Sequence, residues 1–228
     1  MNSYVRRLEA VKDQRFHELK EIGDQWRTGD ALFHGIETLC LPSEKRRPPK
    51  FVLDLFTDGQ NSKCPDYFTA EDNALLQDWT GRLQGITEEA DYAFANPPYS
   101  IIQSDEGDII TGMAPIMEKA LEEREQGGRF AFLIKAATSE TWWPDSEPDR
   151  TYFIKGRVAF ERPEWFRPEK PVSRQSAFFG CAVLVFNKHL PRDKEPVYIH
   201  RKELLAFGRK RAEELAEIRQ RHIQSFSL

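Results

Sequence analysis

Short apolar runs alternate along the chain with stretches in which apolar residues recur every three or four positions. The runs at 51–56, 90–95 and 129–135 predict buried strands, because each is brief and ends at polar or turn-forming residues. Two further runs, at 151–160 and 177–186, predict two more strands. Runs so rich in apolar residues, the first with one acid inside it, are typical of strands that are covered on both faces of a sheet.

Helical spacing of apolar residues predicts helices over 4–22, 111–126 and 201–224. A threonine followed three residues later by an acid predicts a further, capped helix over 69–79. Strands that alternate with helices predict an α/β fold, with a mostly parallel central sheet and helices on both faces. Ligands of such sheets bind at the carboxyl ends of strands, and the first two predicted strands end in polar loops.

The composition is that of one compact domain, since 228 residues with 39% hydrophobic side chains can bury a sizeable core. No stretch of about twenty apolar residues occurs, so a membrane span is not expected. The N-terminal segment is too charged for a secretory signal. Cys40, Cys64 and Cys181 are far apart in the sequence, which predicts unpaired thiols in a cytoplasmic protein and no metal site.

The net charge of −4 at pH 7 lacks the basic excess of many nucleic-acid binders. An enzyme that visits DNA briefly, however, needs one basic face rather than a basic total. The basic segments at 44–50 and 201–221 are candidates for such a face. The alternative interpretation is a solvated loop for the first segment and a solvated helix face for the second.

The sharpest chemical signal is the tetrapeptide Asn96-Pro97-Pro98-Tyr99, which directly follows the run at 90–95. The exocyclic amine of adenine is a poor nucleophile, because its lone pair is delocalised into the ring. The Asn side-chain oxygen and the next carbonyl can each accept one amino hydrogen, which favours a pyramidal nitrogen with a freer lone pair. Proline fixes the backbone there, and Tyr99 can lie flat on the base. The pattern favours methylation of a flipped-out adenine over a plain strand-ending turn with a packed tyrosine.

Further segments around this tetrapeptide make the chain resemble the phage-type DNA N-6-adenine methyltransferases, a Dam-like family, over about residues 24–187. The shared segments are, in order, Trp26-Arg27-Thr28, Leu32-Phe33, Leu53-Asp54, Asn61-Ser62-Lys63-Cys64, Tyr67-Phe68-Thr69, Glu71-Asp72, Asp78-Trp79, 94–99, 132–138 and 154–160.

The resemblance implies a Rossmann-like methyltransferase fold with an antiparallel hairpin, S-adenosylmethionine as cofactor and double-stranded DNA as partner. It also implies a phage or prophage origin, with the protein in the host cytoplasm. Carried across residue by residue, it makes Asn96, Pro97, Pro98 and Tyr99 the catalytic target-amine site. The implied cofactor-binding residues are Thr28, Asp54, Asn61, Lys63, Asp78, Trp79 and Asn96.

Within that implied set, Thr28 and Asp54 would lie near the methionine end of the cofactor. Asp78 and Trp79 would lie near its adenine, where a hydrogen-bond acceptor and an aromatic face are useful. The catalytic domain would span 24–187, between an N-terminal helix at 1–23 and a C-terminal helical extension at 188–228.

Two features depart from the family pattern. Gly29 stands where the family usually has proline, which predicts a looser entry loop. The acids Asp105, Glu106 and Asp108 follow the tetrapeptide, at an edge where DNA would enter. Two alternative functions therefore stay open: methylation of RNA or of a protein glutamine amide, and an inactive relative that only binds DNA or protein.

Overall fold

A computed structural model describes residues 2–41, 49–172, 179–191 and 195–225, with only the backbone at 222 and 225. Within these ranges, seven strands form one sheet in the order β2-β1-β3-β6-β8-β7-β9, and β4 and β5 form a separate antiparallel hairpin. The strands are β1 (Phe51–Asp54), β2 (Asp66–Tyr67), β3 (Tyr92–Ala95), β4 (Ile102–Gln103), β5 (Ile109–Thr111), β6 (Phe130–Lys135), β7 (Arg150–Lys155), β8 (Cys181–Phe186) and β9 (Val197–His200).

Most neighbouring strands of the sheet are parallel. β1 is parallel to both β2 and β3, and β3 is parallel to β6. β8 is antiparallel to both of its neighbours, β6 and β7, whereas β9 is parallel to β7. This arrangement confirms the predicted α/β class and its mostly parallel sheet, and it is compatible with a Rossmann-like methyltransferase fold.

Helices cover both faces of the sheet and create two apolar cores. The helices are α1 (Ser3–Lys12), α2 (Asp30–Cys40), α3 (Trp79–Ile86), α4 (Met113–Glu125) and α5 (Arg201–Ser225). On one face, Phe33 of α2 and Leu204 of α5 pack with Phe94 of β3. On the other face, α3 and α4 pack against the opposite side chains of the same strands.

The α2 and α5 helices cross with their backbones in contact. A Cβ atom on Gly208 would lie 1.8 Å from the carbonyl oxygen of Ala31, and one on Gly35 would lie 2.3 Å from that of Leu204. Glycine at both positions is what allows this approach, because any side chain would meet rigid backbone.

The helix predicted over 4–22 is interrupted in the structure. α1 ends at Lys12, and a 3-10 helix covers Leu19–Ile22. Between them, His17 is buried and pairs with the backbone of Arg167: each backbone N–H donates at 2.9 Å, one to the Arg167 carbonyl and one to His17 Nδ1. These contacts replace the helical hydrogen bonds that the periodicity predicted.

The helix predicted over 69–79 is wrong, and a tighter turn takes its place. Asp72 accepts hydrogen bonds from the backbone N–H and hydroxyl of Thr69, both at 2.7 Å, as a helix cap would. Asn73, however, adopts a left-handed conformation with φ of 50°, which interrupts a continuous α-helix, and only a 3-10 helix, Ala74–Leu76, follows it. The helix begins later, with Asp78 as the N-cap of α3.

The helices that pack on the sheet do so through apolar side chains. Among the described residues, no helix combines the length and the apolar character that spanning a membrane takes.

Candidate active site

The carboxyl ends of β1 and β3 open into a cavity of about 310 Å³. From β1 the sheet continues to β2 on one side and to β3 on the other, so the strand order reverses at this point. A crevice at such a reversal is where open α/β sheets bind ligands, and the volume is at the lower end for small-molecule sites. The walls come from α1, the segment 24–28, the loop after β1, the segment 68–74, the tetrapeptide and the end of β5.

A buried carboxyl is the most unusual group in the cavity. Asp54 ends β1 and is only 3% exposed. It accepts backbone N–H bonds from Lys63 at 3.0 Å and Phe56 at 3.4 Å, yet burial raises the pKa of its carboxyl to about 7. The Lys63 ammonium pairs instead with Asp30 at 2.7 Å. A ligand cation in the cavity would therefore stabilise the ionised form of Asp54.

The segment that carries Thr28 forms the wall beside Asp54. Thr28 is 3% exposed, and its hydroxyl has no partner among the described residues. Its neighbour Arg27 exchanges two 2.8 Å backbone hydrogen bonds with Glu161 and donates through its guanidinium to Asn61 Oδ1 at 3.0 Å. An unpartnered buried hydroxyl at a cavity wall is available to a ligand.

Glu161 also lies close to Gly29. A Cβ atom on Gly29 would lie 2.6 Å from Glu161 Oε1, which is the mobile end of a side chain. The looser loop that the sequence predicts at Gly29 stays a prediction.

The tetrapeptide leaves β3 at the rim of the cavity. Asn96 and Pro98 line the cavity, and Pro97 is buried. Asn96 Nδ2 donates to the carbonyl of Trp26 at 3.4 Å, which directs the donor end of the amide to protein. The side-chain oxygen of Asn96 has no partner among the described residues and is the acceptor left for a ligand.

Asp24 accepts hydrogen bonds from the backbone after the prolines, and the sequence motifs did not indicate this residue. The N–H groups of Tyr99 and Ser100 donate to its two carboxylate oxygens at 3.2 and 3.1 Å. The hydroxyl of Thr111 donates to the carbonyl of Ser100. Asp24 lies 75 residues before Tyr99, and no local pattern in the sequence links the two.

The ring of Tyr99 is fixed by contacts at its hydroxyl and its face. The hydroxyl accepts the backbone N–H of Lys135 at 2.5 Å. The Lys135 ammonium lies 4.2 Å from the ring centre of Tyr99 and 4.8 Å from that of Phe179, while Trp142 approaches edge-on at 6.5 Å. Burial raises the pKa of the Tyr99 phenol above its ordinary value, so the group stays neutral.

Asp78 and Trp79 do not line the cavity. Asp78 is exposed and accepts the backbone N–H of Gly81 at 2.7 Å, which caps α3. Trp79 is fully buried, and its indole N–H donates to the carbonyl of Ala74 at 2.6 Å. Since Ala74 lines the cavity, Trp79 supports that wall from behind. The predicted contact of both residues with the cofactor's adenine stays a prediction.

Five of the predicted cofactor-binding residues thus gather around one cavity. The five are Thr28, Asp54, Asn61, Lys63 and Asn96. Of the predicted target-amine tetrapeptide, Asn96 and Pro98 line this cavity, whereas Pro97 and Tyr99 do not.

The outer wall of the cavity is α1, which sequence reasoning gave no role. Tyr4, Val5 and Leu8 line the cavity from this helix. Asn2 Nδ2 donates to the carbonyl of Ala70 at 2.8 Å. Arg6 pairs with Asp105 at 2.9 Å, so one acid after the tetrapeptide is engaged by the helix.

No group of three or more His, Cys, Asp or Glu side chains that could hold a metal ion occurs in the part of the chain that the structure describes. The cysteines Cys40, Cys64 and Cys181 are free and buried.

The chain is similar in sequence to one protein family and to a bacterial relative. The model of a family described as DNA N-6-adenine-methyltransferase (Dam) matches residues 15–211. A relative from Escherichia coli (strain K12), named "Putative methyltransferase YfdM", is 53% identical over 98 residues, which cover 43% of this chain and 96% of the relative. No solved structure matches the chain. The family match contains the tetrapeptide and the buried carboxyl, whereas α1 precedes it.

Proposed function

We propose, since the chain belongs to the DNA N-6-adenine-methyltransferase (Dam) family, that it methylates the exocyclic amine of a flipped-out adenine in double-stranded DNA. We propose S-adenosylmethionine as the methyl donor. One observation carries the proposal: the unpartnered side-chain oxygen of Asn96 and the buried carboxyl of Asp54 belong to the same cavity. The family membership agrees with the resemblance read from the sequence.

The cavity fits the proposed cofactor through its charge. S-adenosylmethionine supplies an electrophilic methyl group on a sulfonium and carries an ammonium group as well. Asp54 is a carboxyl that burial holds near half-ionisation at neutral pH, and a cation beside it favours the ionised form. The free hydroxyl of Thr28 can donate or accept a hydrogen bond in the same wall.

The residues at the rim fit an amine as the group to be methylated. Asn96 Oδ1 and the carbonyl of Pro97 can each accept one amino hydrogen, which holds the nitrogen in the geometry of attack. Tyr99 presents an aromatic ring that stays neutral, since its pKa is raised. A strong base is not needed at the outset, because the amine loses its proton after the new N–C bond forms.

The test is transfer of a labelled methyl group from S-adenosylmethionine to unmethylated double-stranded DNA, followed by nucleoside analysis. N6-methyl-2′-deoxyadenosine as the labelled product supports the proposal. Transfer to RNA or to a protein amide, with none to DNA, would replace the proposed acceptor. Absence of cofactor binding would identify a relative that only binds DNA or protein.

Asn96→Ala removes the proposed amine acceptor and is expected to abolish methyl transfer, while the fold and most of the cofactor affinity persist. Glu88→Ala is the matched surface control, since Glu88 is exposed at the opposite, amino end of β3. Methyl transfer, circular dichroism and calorimetric binding measure the three properties. Full activity in Asn96→Ala, or an unfolded variant, would contradict the assignment.

A further inference from the structure

The loop that bears the proposed target-amine tetrapeptide has few backbone hydrogen-bond donors to fix its conformation. Pro97 and Pro98 have no backbone N–H, so the first donors after Asn96 are those of Tyr99 and Ser100. Both donate to one carboxylate, Asp24, with one bond to each oxygen. Hydrogen bonds to an ionised acceptor are stronger than those between neutral groups.

The segment that carries Asp24 also orients the side chain of Asn96. The carbonyl of Trp26, two residues further on, accepts from Asn96 Nδ2 at 3.4 Å. The segment itself is fixed at both ends: Gln25 donates its N–H to the carbonyl of Ile22 at 2.9 Å, and Arg27 bridges to Glu161 through two backbone bonds. A rigid support of this kind can set the distance between the Asn96 oxygen and the Tyr99 ring.

We propose that Asp24 is a positioning residue for methyl transfer, which holds Tyr99 and Ser100 so that the amine acceptors and the stacking ring keep a productive geometry. The proposal rests on the proposed function, because it assigns Asp24 to the same target site. Asp24 lines the cavity, and burial raises the pKa of Tyr99 with a smaller contribution from the Asp24 charge. It acts through Tyr99 and Ser100 and does not itself react.

The kinetic test compares Asp24→Asn and Asp24→Ala with wild type and with Glu88→Ala. Asp24→Asn keeps one acceptor oxygen and Asp24→Ala keeps none. The rate of methyl transfer should therefore fall less in Asp24→Asn than in Asp24→Ala. Because misplacement by about 1 Å can cost about a hundredfold, we expect kcat to fall between about tenfold and a hundredfold in Asp24→Ala. Because Asp24 also lines the cavity, the Kd for S-adenosylmethionine is measured in parallel, and kcat should fall by more than cofactor affinity does.

The second test needs no activity and measures backbone amide hydrogen exchange in peptides that contain Tyr99 and Ser100. Loss of the Asp24 carboxylate should speed exchange at these two amides in Asp24→Ala and leave Glu88→Ala like wild type. Exchange unchanged at both amides overturns the proposal, as does an unchanged kcat.

Failure of the proposed function gives a different pattern of results. If wild type methylates RNA or a protein amide, the same kcat ratio is measured on that acceptor. If wild type transfers no methyl group at all, the proposed function fails and hydrogen exchange alone decides whether Asp24 holds the loop.

Discussion

At the scale of single residues, the Asp54 carboxyl would make the proposed cofactor binding depend on pH. Its pKa of about 7 means that the carboxyl ionises between about pH 6 and about pH 8. We expect cofactor affinity to rise over that window, by up to about tenfold per pH unit below the pKa. Calorimetric titrations at several pH values measure this, and Asp54→Asn should bind weakly with a flatter pH dependence. Equal slopes in the two proteins would disconnect Asp54 from the cofactor.

The same carboxyl should destabilise the cofactor-free protein at neutral and higher pH. Burial raises its folded-state pKa to about 7 from the ordinary 3.8, so the folded state holds a proton that the unfolded state has lost. The free energy of unfolding therefore decreases, through this group, as pH rises from about 4 to about 7. Asp54→Asn should raise the Tm above that of wild type at pH 8, measured without cofactor. A lower Tm in the variant would show that the ionised carboxyl is well compensated.

The roles of the Tyr99 ring and of the Tyr99 hydroxyl can be tested separately. Tyr99→Phe keeps the ring but leaves the Lys135 N–H without its acceptor, which costs about 1–3 kcal/mol of folding free energy. We expect methyl transfer to persist at a reduced rate in Tyr99→Phe and to be lost in Tyr99→Ala. Single-turnover rates measure this, and equal rates in the two variants would mean that the ring does not position the base.

These residues differ in how far sequence could predict their positions. Asp54 ends one strand and Asn96 follows another, and the apolar pattern reveals both strands, so their shared edge of the sheet could be predicted. The partnership of Asp24 with Tyr99 could not, because it depends on where two distant segments meet. Trp79 also shows the limit of a local motif, since an aromatic residue beside an acid fits a buried wall as well as a ligand contact.

At the scale of elements, the α2–α5 crossing depends on the absence of a side chain. Gly208→Ala would place a Cβ atom against the backbone of Ala31, and we expect a loss of about 2–3 kcal/mol of stability. That corresponds to a fall in Tm of about 5–10 °C for a chain of this size. Gly85→Ala in α3 is the control, since nothing lies within 4 Å of its added Cβ atom, and it should stabilise by about 0.5–1 kcal/mol. Thermal unfolding of both variants measures the difference, and similar Tm values would contradict the close crossing.

The strands that sequence predicted well are those buried on both faces. β1, β3 and β6 are continuous apolar runs because helices cover them on either side. β2 has only two residues, and three of the four residues of β9 are exposed, so neither leaves such a run. β2 pairs with β1 and β9 pairs with β7. Both pairings depend on the neighbouring strand, so the composition of β2 and β9 does not reveal them.

At the scale of the whole molecule, the net charge is −4, so the proposed binding of DNA would depend on local basic segments. Arg46 and Arg47 belong to the predicted basic loop at 44–50, and both lie outside the described residues. Reversing both charges should weaken DNA binding and reduce its salt dependence, because each lost phosphate contact removes released counterions. Binding measured across a salt series checks this, and an unchanged slope would leave the loop merely solvated.

The pairing of α2 with α5 has a consequence for protein synthesis. These two helices close one face of the sheet together, yet about 160 residues separate the end of α2 from the start of α5. At about 5–20 residues per second, a ribosome needs on the order of ten seconds to make that stretch. Until then Phe33 and Phe94 lack one side of their core, so the nascent chain should be open to protease within α2. Pulse proteolysis of chains stalled before residue 201 measures this, and early protection of α2 would mean that it folds onto the sheet alone.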